Sequence, residues 1–277
     1  MRKLRVAVII LFAASVLIFV SSKIYSFLTE DNTPPVISCA SDTLVVSVSA
    51  DDEELLSGVL AIDNRDGDIS SNVIVGKITN LLSNNTAKIT YLVFDSSNNM
   101  GSCTRYLRYS DYERPKFSLS EPLIFRVKDS ISLNGKLTAS DVLDGDITSS
   151  IRISALDVSS NTEGIYYATA SVTNSMGDTA SVTLPIVVNP SNMRLPSITL
   201  DEYLIYLTVG DDFDPAEHIL SAHDHYNREV DISDVTIEGN ADTSQPGEYY
   251  ITYTCSASER TGTCMLTVVV QEKEADF

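Results

Sequence analysis

Tryptophan is absent from these 277 residues, and lysine plus arginine number 19 against 38 aspartates and glutamates. The formal net charge of −19 makes a surface that repels phosphate backbones, which argues against nucleic acid as a partner. The basic residues are also unevenly placed. Arg2, Lys3, Arg5 and Lys23 all precede Glu30, the first acidic residue. From Glu30 onward 15 basic residues face 38 acidic ones, a net of −23. Histidines number three and cysteines four, and they form neither a Cys-His-Asn arrangement nor a cysteine–histidine metal cluster. No nucleophile, base and oxyanion donor recur together, so no catalytic residue and no cofactor is implied. Convincing helical periodicity is missing after the first 28 residues, and a second long apolar run is missing altogether.

The one long apolar run is Val6–Val20, preceded by three basic residues. It can extend from Leu4 to Ile24–Leu28, which is enough for a membrane span of ~17–25 residues. The Ala-x-Ala type of cleavage site is missing, and Val20-x-Ser22 is a weak substitute. An uncleaved signal anchor is the favoured expectation and a cleaved signal peptide the alternative. Either way the basic residues keep the N-terminus cytoplasmic and the remainder is exported. Cys39 lies far from the run and does not look like a lipoprotein acceptor. The expected partner of residues 4–28 is the membrane.

What fills the rest is a pattern that occurs three times. Each copy opens with a proline before an alternating strand: Pro35-Val36-Ile37, Pro115-Lys116-Phe117 and Pro196-Ser197-Ile198. A β-rich run follows, at Leu44–Val48, Ile124–Val127 and Leu204–Val209. An alanine then leads to an aspartate two residues later: Ala61 and Asp63, Ala139 and Asp141, Ala222 and Asp224. A hairpin pattern closes each copy, clearest over Pro246–Thr254 and Cys264–Val270. Period-two alternation with turn residues every ~8–12 positions predicts an all-β chain of β-sandwiches. The expected division is 1–28 basic stub and anchor, 29–35 linker, then modules at 36–110, 115–189 and 196–271, and a tail at 272–277. The proline-bearing joints between modules favour a rod over independent beads.

The motifs sharpen this. Val-Gly-Asp-Asp-Phe-Asp-Pro (209–215), Ala-x-Asp-x-x-Asp-Gly-Asp-Ile, and Asp-Thr-Ser-x-Pro-Gly-x-Tyr-x-Ile-x-Tyr (242–253) resemble the bacterial Ig-like domain known from pesticidal crystal proteins and bacterial surface proteins. The resemblance covers about 34–109, 115–189 and 196–270. It implies three tandem Ig-like β-sandwiches, exposed at the cell surface as stalks or for adhesion to a protein or glycan; with the apolar run, the expected architecture is all-β, three such sandwiches after an N-terminal transmembrane helix. It brings no catalytic residues. The copies also depart from the pattern. The first has Ser83-Asn84-Asn85-Thr86 in place of the Pro-Gly-x-Tyr entry, and the third has Asn227-Arg228-Glu229 in place of Asp-Gly-Asp.

Several residues invite a site reading. Asp63, Asp66 and Asp68, with Asp141, Asp144 and Asp146, could supply oxygens to calcium, but the spacing is not that of an EF-hand loop. A turn explains them more simply: Gly67 and Gly145 supply φ > 0, and the aspartates bond nearby backbone N–H groups. His218, His223 and His225 all lie in the third copy. Asp224 follows Asp141 by 83 positions where Asp141 follows Asp63 by 78, and with that insertion the histidines make the third copy the expected place for an alternative function as a glycan- or calcium-binding module, although two histidines on one strand face are an incomplete metal site. Cys255 and Cys264 flank a turn and are expected to bridge, with buried free thiols as the alternative. The resemblance implies a second pair, Cys39 with Cys103, because the first and last strands are commonly neighbours in Ig-like sandwiches. Tyr91 and Tyr253 fall at equivalent positions, with Tyr166 and Tyr167 near the counterpart, and core packing is expected of them.

Overall fold

A computed structural model describes residues 2–81, 85–157 and 159–273. Asn84 of the Asn84-Asn85-Thr86 sequon and the last four residues of the tail lie outside them. The chain opens with a helix, Arg2–Thr29, of 28 residues. At 1.5 Å per residue it is ~42 Å long, more than a ~30 Å hydrocarbon layer requires. Its Leu4–Tyr25 segment has a mean hydropathy of 2.6 and no buried residue, so it is long and apolar enough to cross a membrane, a property signal sequences share.

Everything after it is built from one design, a three-stranded sheet facing a four-stranded one, made three times. In the first copy, Val36–Cys39, Val59–Asp63 and Gly67–Asp68 form the small sheet. Thr43–Val46, Met100–Tyr109, Thr86–Phe94 and Ile74–Ile78 form the large one, in that spatial order. The second copy repeats this with Lys116–Leu119, Leu137–Asp141 and Gly145–Asp146 against Ile124–Arg126, Thr179–Asn189, Gly164–Thr173 and Arg152–Asp157. The third uses Ser197–Leu200, Ile219–His223 and Glu229–Val230 against Leu204–Thr208, Arg260–Gln271, Gly247–Ala257 and Thr236–Glu238. In each copy the strand that crosses from the small sheet to the large one pairs in parallel with the last strand, over Thr43–Val46, Ile124–Arg126 and Leu204–Thr208. The remaining ladders are antiparallel.

Alternation decides which side chains go inside. Along Val59–Asp63 and Leu137–Asp141 every second residue is buried, beginning with the first. Ala61 and Ala139 therefore face the core, and so do Asp63 and Asp141. The repeat aspartates are buried by their place in the strand period. One exception to the all-β expectation is a one-turn helix, Asp52–Leu55. Asp51 caps it by accepting the Glu54 N–H (2.9 Å), and its acidic first turn suits a helix N-terminus.

The chain divides into two units, Met1–Asp111 and Tyr112–Phe277. Within the first, Ala61, Ala87, Ile89, Tyr91, Val93 and Leu107 are fully buried. Within the second, the second and third sandwiches share a single apolar core running from Phe117 to Val270. The Phe117 N–H donates to the Tyr206 hydroxyl (2.9 Å), and the Thr183 N–H donates to the Glu248 carboxylate (3.2 Å). The Tyr167 and Tyr250 rings meet edge to face at 5.3 Å. The proline-bearing joint between the second and third modules therefore lies beside a packed interface.

Candidate functional site

The three repeat aspartates share one local role. One oxygen of each holds the turn that follows. Asp63 Oδ1 accepts the N–H groups of Arg65 (2.8 Å) and Asp66 (2.9 Å), and Asp141 Oδ1 those of Leu143 (2.9 Å) and Asp144 (3.1 Å). Asp224 Oδ1 accepts those of Tyr226 and Arg228, both at 2.8 Å. These backbone donors, those of Asp66 and Arg65 first, hold the Asp63 carboxyl below the usual carboxylate range. Gly67 and Gly145 take φ of 73° and 70°, as the turn requires. In the third copy the left-handed residue moves one place earlier, to Asn227 at φ 66°, which frees the glycine position for Arg228.

The second oxygen is where the copies part. In the second copy, Asn174 Nδ2 donates to Asp141 Oδ2 at 3.1 Å and to the Tyr112 hydroxyl at 2.8 Å. The Tyr112 hydroxyl in turn donates to Asp178, which Arg114 grips through two nitrogens. Burial opposes ionisation of Asp178, yet Arg114 and Tyr112 together hold its carboxyl below its ordinary range. In the third copy, Arg228 reaches back to Asp224 Oδ2 at 2.8 Å. In the first copy, Asp63 Oδ2 is buried with no hydrogen-bond partner.

What faces Asp63 instead is two more carboxylates. Asp31, from the segment after the apolar helix, and Asp95, from the hairpin turn after Thr86–Phe94, converge on it. One oxygen from each of the three lies within 4.8 Å of the others. The residues are 6%, 4% and 7% exposed for Asp31, Asp63 and Asp95, so water screens them little. Each is held from behind. Asp31 accepts the Thr33 N–H (3.0 Å), and its carbonyl accepts Asn99 Nδ2 (2.9 Å). Asp95 accepts the N–H groups of Ser97 (2.9 Å) and Asn99 (2.7 Å), and Asn99 Nδ2 as well (2.8 Å). The nearby cation is Arg65, 3.7 Å from Asp31 and half exposed. Two carboxylates ~4.8 Å apart repel by roughly 3 kcal/mol at an effective dielectric constant of 20. An oxygen-only set with surplus negative charge is the donor chemistry of a hard cation.

The sequence-predicted aspartates do not assemble this way. Asp66 turns to the Ser96 N–H (2.6 Å) and hydroxyl (2.9 Å), and Asp144 makes the same two bonds to Ser175. Asp68 and Asp146 accept the N–H groups of Ser70 (3.0 Å) and Thr148 (2.9 Å), starting the single 3-10 turn that follows. Of the six, only Asp63 lies in the cluster. Asp31 and Asp95 were missed; their signals were an aspartate in the linker and one opening the Ser-Ser-Asn-Asn hairpin turn.

The histidines of the third copy have separate surroundings. His218 pairs with Asp201 (3.0 Å), and His225 is buried against Tyr226 with its Nδ1 unpartnered. Among the described residues the three aspartates are the one grouping with metal-ligand geometry. In this structure the four cysteines stand as free thiols. Cys39 and Cys103 lie across the sandwich at 3.2 Å between sulfurs, beyond the ~2.05 Å of a bond. Burial, then the contact with Cys103, raises the Cys39 thiol to about 11, which keeps it protonated and unreactive at neutral pH. Cys264 stands opposite Tyr253 and Cys255 opposite Gly262, a diagonal offset of two residues that does not suit a bridge. Tyr91 and Tyr253 are fully buried, whereas Ala170 takes the equivalent place in the second copy and Tyr167 is exposed.

Sandwiches of three strands on four, with the crossing strand parallel to the last, define tandem Ig-like modules. Comparison with known proteins agrees. Residues 206–270 match the bacterial Ig-like domain (group 3). The chain is 28% identical over 183 residues to pesticidal crystal protein Cry22Aa of Bacillus thuringiensis, which is 65% of this chain and 23% of that one. It is 26% identical over 236 residues to an uncharacterized 81.3 kDa protein of Acholeplasma phage L2, 81% of this chain and 30% of that one. It thus spans less than a third of the length of these curated relatives. Among solved structures, Drosophila N-cadherin EC1-3 aligns over 88% of this chain and 91% of that chain at 13% identity, with a TM-score of 0.28, too loose to bear on function. The resemblance read from the motifs, to the bacterial Ig-like domain of pesticidal crystal proteins, is borne out.

Proposed function

We propose that the chain is a non-catalytic, membrane-anchored bacterial surface protein whose tandem Ig-like modules act as a stalk or interaction scaffold for an extracellular protein or glycan. The observation that carries this reading is the arrangement itself. One helix apolar enough to span a membrane, Leu4–Tyr25, follows basic residues and precedes three acidic β-sandwiches. In this reading the modules run over 36–110, 115–189 and 196–271, with 29–35 as the segment between anchor and first module. Extracellular protease on intact cells tests it. A C-terminal epitope should be lost while an N-terminal fragment stays in the membrane. An epitope that survives until the cells are lysed, or a full-length form found only in the medium, would overturn the anchored arrangement.

A further inference from the structure

We propose that the first module binds one calcium ion between Asp31, Asp63 and Asp95. The charges ask for it. Three carboxylates and the Arg65 guanidinium leave two negative charges in the cluster, which one divalent cation neutralises. The geometry permits it: two oxygens on opposite sides of a calcium ion stand ~4.6–5.2 Å apart, and the oxygens offered here lie within 4.8 Å of one another. The unpartnered Asp63 Oδ2, on a residue 4% exposed, is the oxygen left for the metal once the turn has used Oδ1. Among the described residues no histidine or cysteine joins the set, so a transition metal is not favoured. Magnesium demands near-octahedral geometry and sheds water reluctantly, which suits a rigid buried trio less well.

The other two copies serve as internal controls. In each, a nitrogen donor of the chain meets the same carboxylate oxygen, Asn174 on Asp141 and Arg228 on Asp224. Asn174 stands where Asp95 stands, opening the corresponding hairpin turn. The first copy has a third carboxylate in place of a donor, and that substitution makes sense if a cation supplies the positive charge. Asp31 belongs to the segment that follows the apolar helix, so the ion would fasten that segment to the module. A site with three protein carboxylates suits the weak extracellular class, with Kd on the order of 10⁻⁴–10⁻³ M.

The full chain in detergent micelles tests this, by calorimetric titration with calcium chloride and by melting in calcium or in chelator with sodium chloride matching ionic strength. One calcium should bind per chain, and the transition of the first unit should rise by ~6–11 °C for each tenfold of free calcium above Kd. Asp63→Asn and Asp95→Asn should each abolish that response. Asp95→Asn should also melt no lower than the parent in chelator, because its amide can meet Asp63 Oδ2 as Asn174 meets Asp141. Asp141→Asn should leave the calcium response unchanged. A parent chain that melts identically in calcium and chelator overturns the site. So does a calcium response that survives in both first-module variants, or one that magnesium reproduces in full.

Discussion

Arg105 is 4% exposed, and no carboxylate among the described residues bonds to it. Its Nε donates to the Tyr91 hydroxyl (2.8 Å), and its terminal nitrogen donates to the carbonyls of Leu55 (3.2 Å) and Ser57 (2.7 Å). Tyr91 donates to the same Leu55 carbonyl at 2.7 Å. A buried charge is here stabilised by backbone dipoles at the end of the short helix. The strand registers place Leu184 and Leu266 at this position in the other copies, both fully buried. Arg105→Ala leaves a cavity and unpaired carbonyls and should cost about 2–5 kcal/mol in the unfolding of the first unit, read by urea titration. Arg105→Leu refills the space and should cost less than the alanine variant; an equal loss would show that the hydrogen bonds, not the volume, dominate. Little of this was legible in the sequence. An arginine in an alternating strand reads as outward-facing, and only the partners across the sandwich show why it faces in. The calcium cluster was hidden for a related reason. Asp66 and Asp68 neighbour Asp63 in sequence but turn to Ser96 and Ser70, whereas Asp31 and Asp95 reach it from other segments.

At the scale of strands, two glycines fix how each opening segment lies. A methyl group on Gly101 would strike the carbonyl of Pro35, and one on Gly262 would strike that of Pro196. Both prolines sit just before the first strand of their sandwich, against its last strand. Ala180 holds the equivalent position in the second copy, so the backbone there leaves room for a side chain. Gly101→Ala and Gly262→Ala should each destabilise by about 1–3 kcal/mol through overpacking. Ala180→Gly should cost no more than about 1 kcal/mol. Denaturant midpoints of the three variants check this, and an unchanged midpoint for Gly262→Ala would contradict the close approach. Strands themselves were the most legible feature, since period two with β-branched residues has few other readings. Their faces were less so. Tyr206 and Tyr250 look like ordinary surface positions in the third copy until the second copy is packed against them. Cys255 and Cys264 flank a turn yet stand two residues out of register, because flanking a turn does not establish being opposite.

For the molecule as a whole, the −19 charge and the hydrogen-bonded aspartates pull in opposite directions as pH changes. Asp63, Asp68, Asp146, Asp224, Asp231 and Asp242 all have carboxyls held below the usual range, by backbone N–H groups and by the hydroxyls or guanidinium beside them. Groups with depressed folded pKa values contribute stability above their unfolded value of ~3.9 and lose it as pH falls through the folded value. The melting temperature should therefore hold between pH ~7 and ~5 and fall below pH ~4. A melting temperature that climbs on acidification from pH 5 to pH 3 would show instead that relief of carboxylate repulsion outweighs the lost turn bonds.

The parallel pairing of crossing strand with last strand has a mechanical meaning. In each sandwich the short first strand, held in the small sheet, leads directly into the start of one member of that pair, and the chain leaves from the end of the other. Tension between entry and exit pulls the two strands along their length in opposite directions. The ladder bonds between them lie across the load and share it, where an antiparallel hairpin pulled from its open end would yield one bond after another. Four residue pairs form this clamp in the first copy, three in the second and five in the third. The resistance to stretching is thus set by short segments, Thr43–Val46, Ile124–Arg126 and Leu204–Thr208. For a chain tethered at one end and gripped at the other, those segments keep each module from being drawn out like thread.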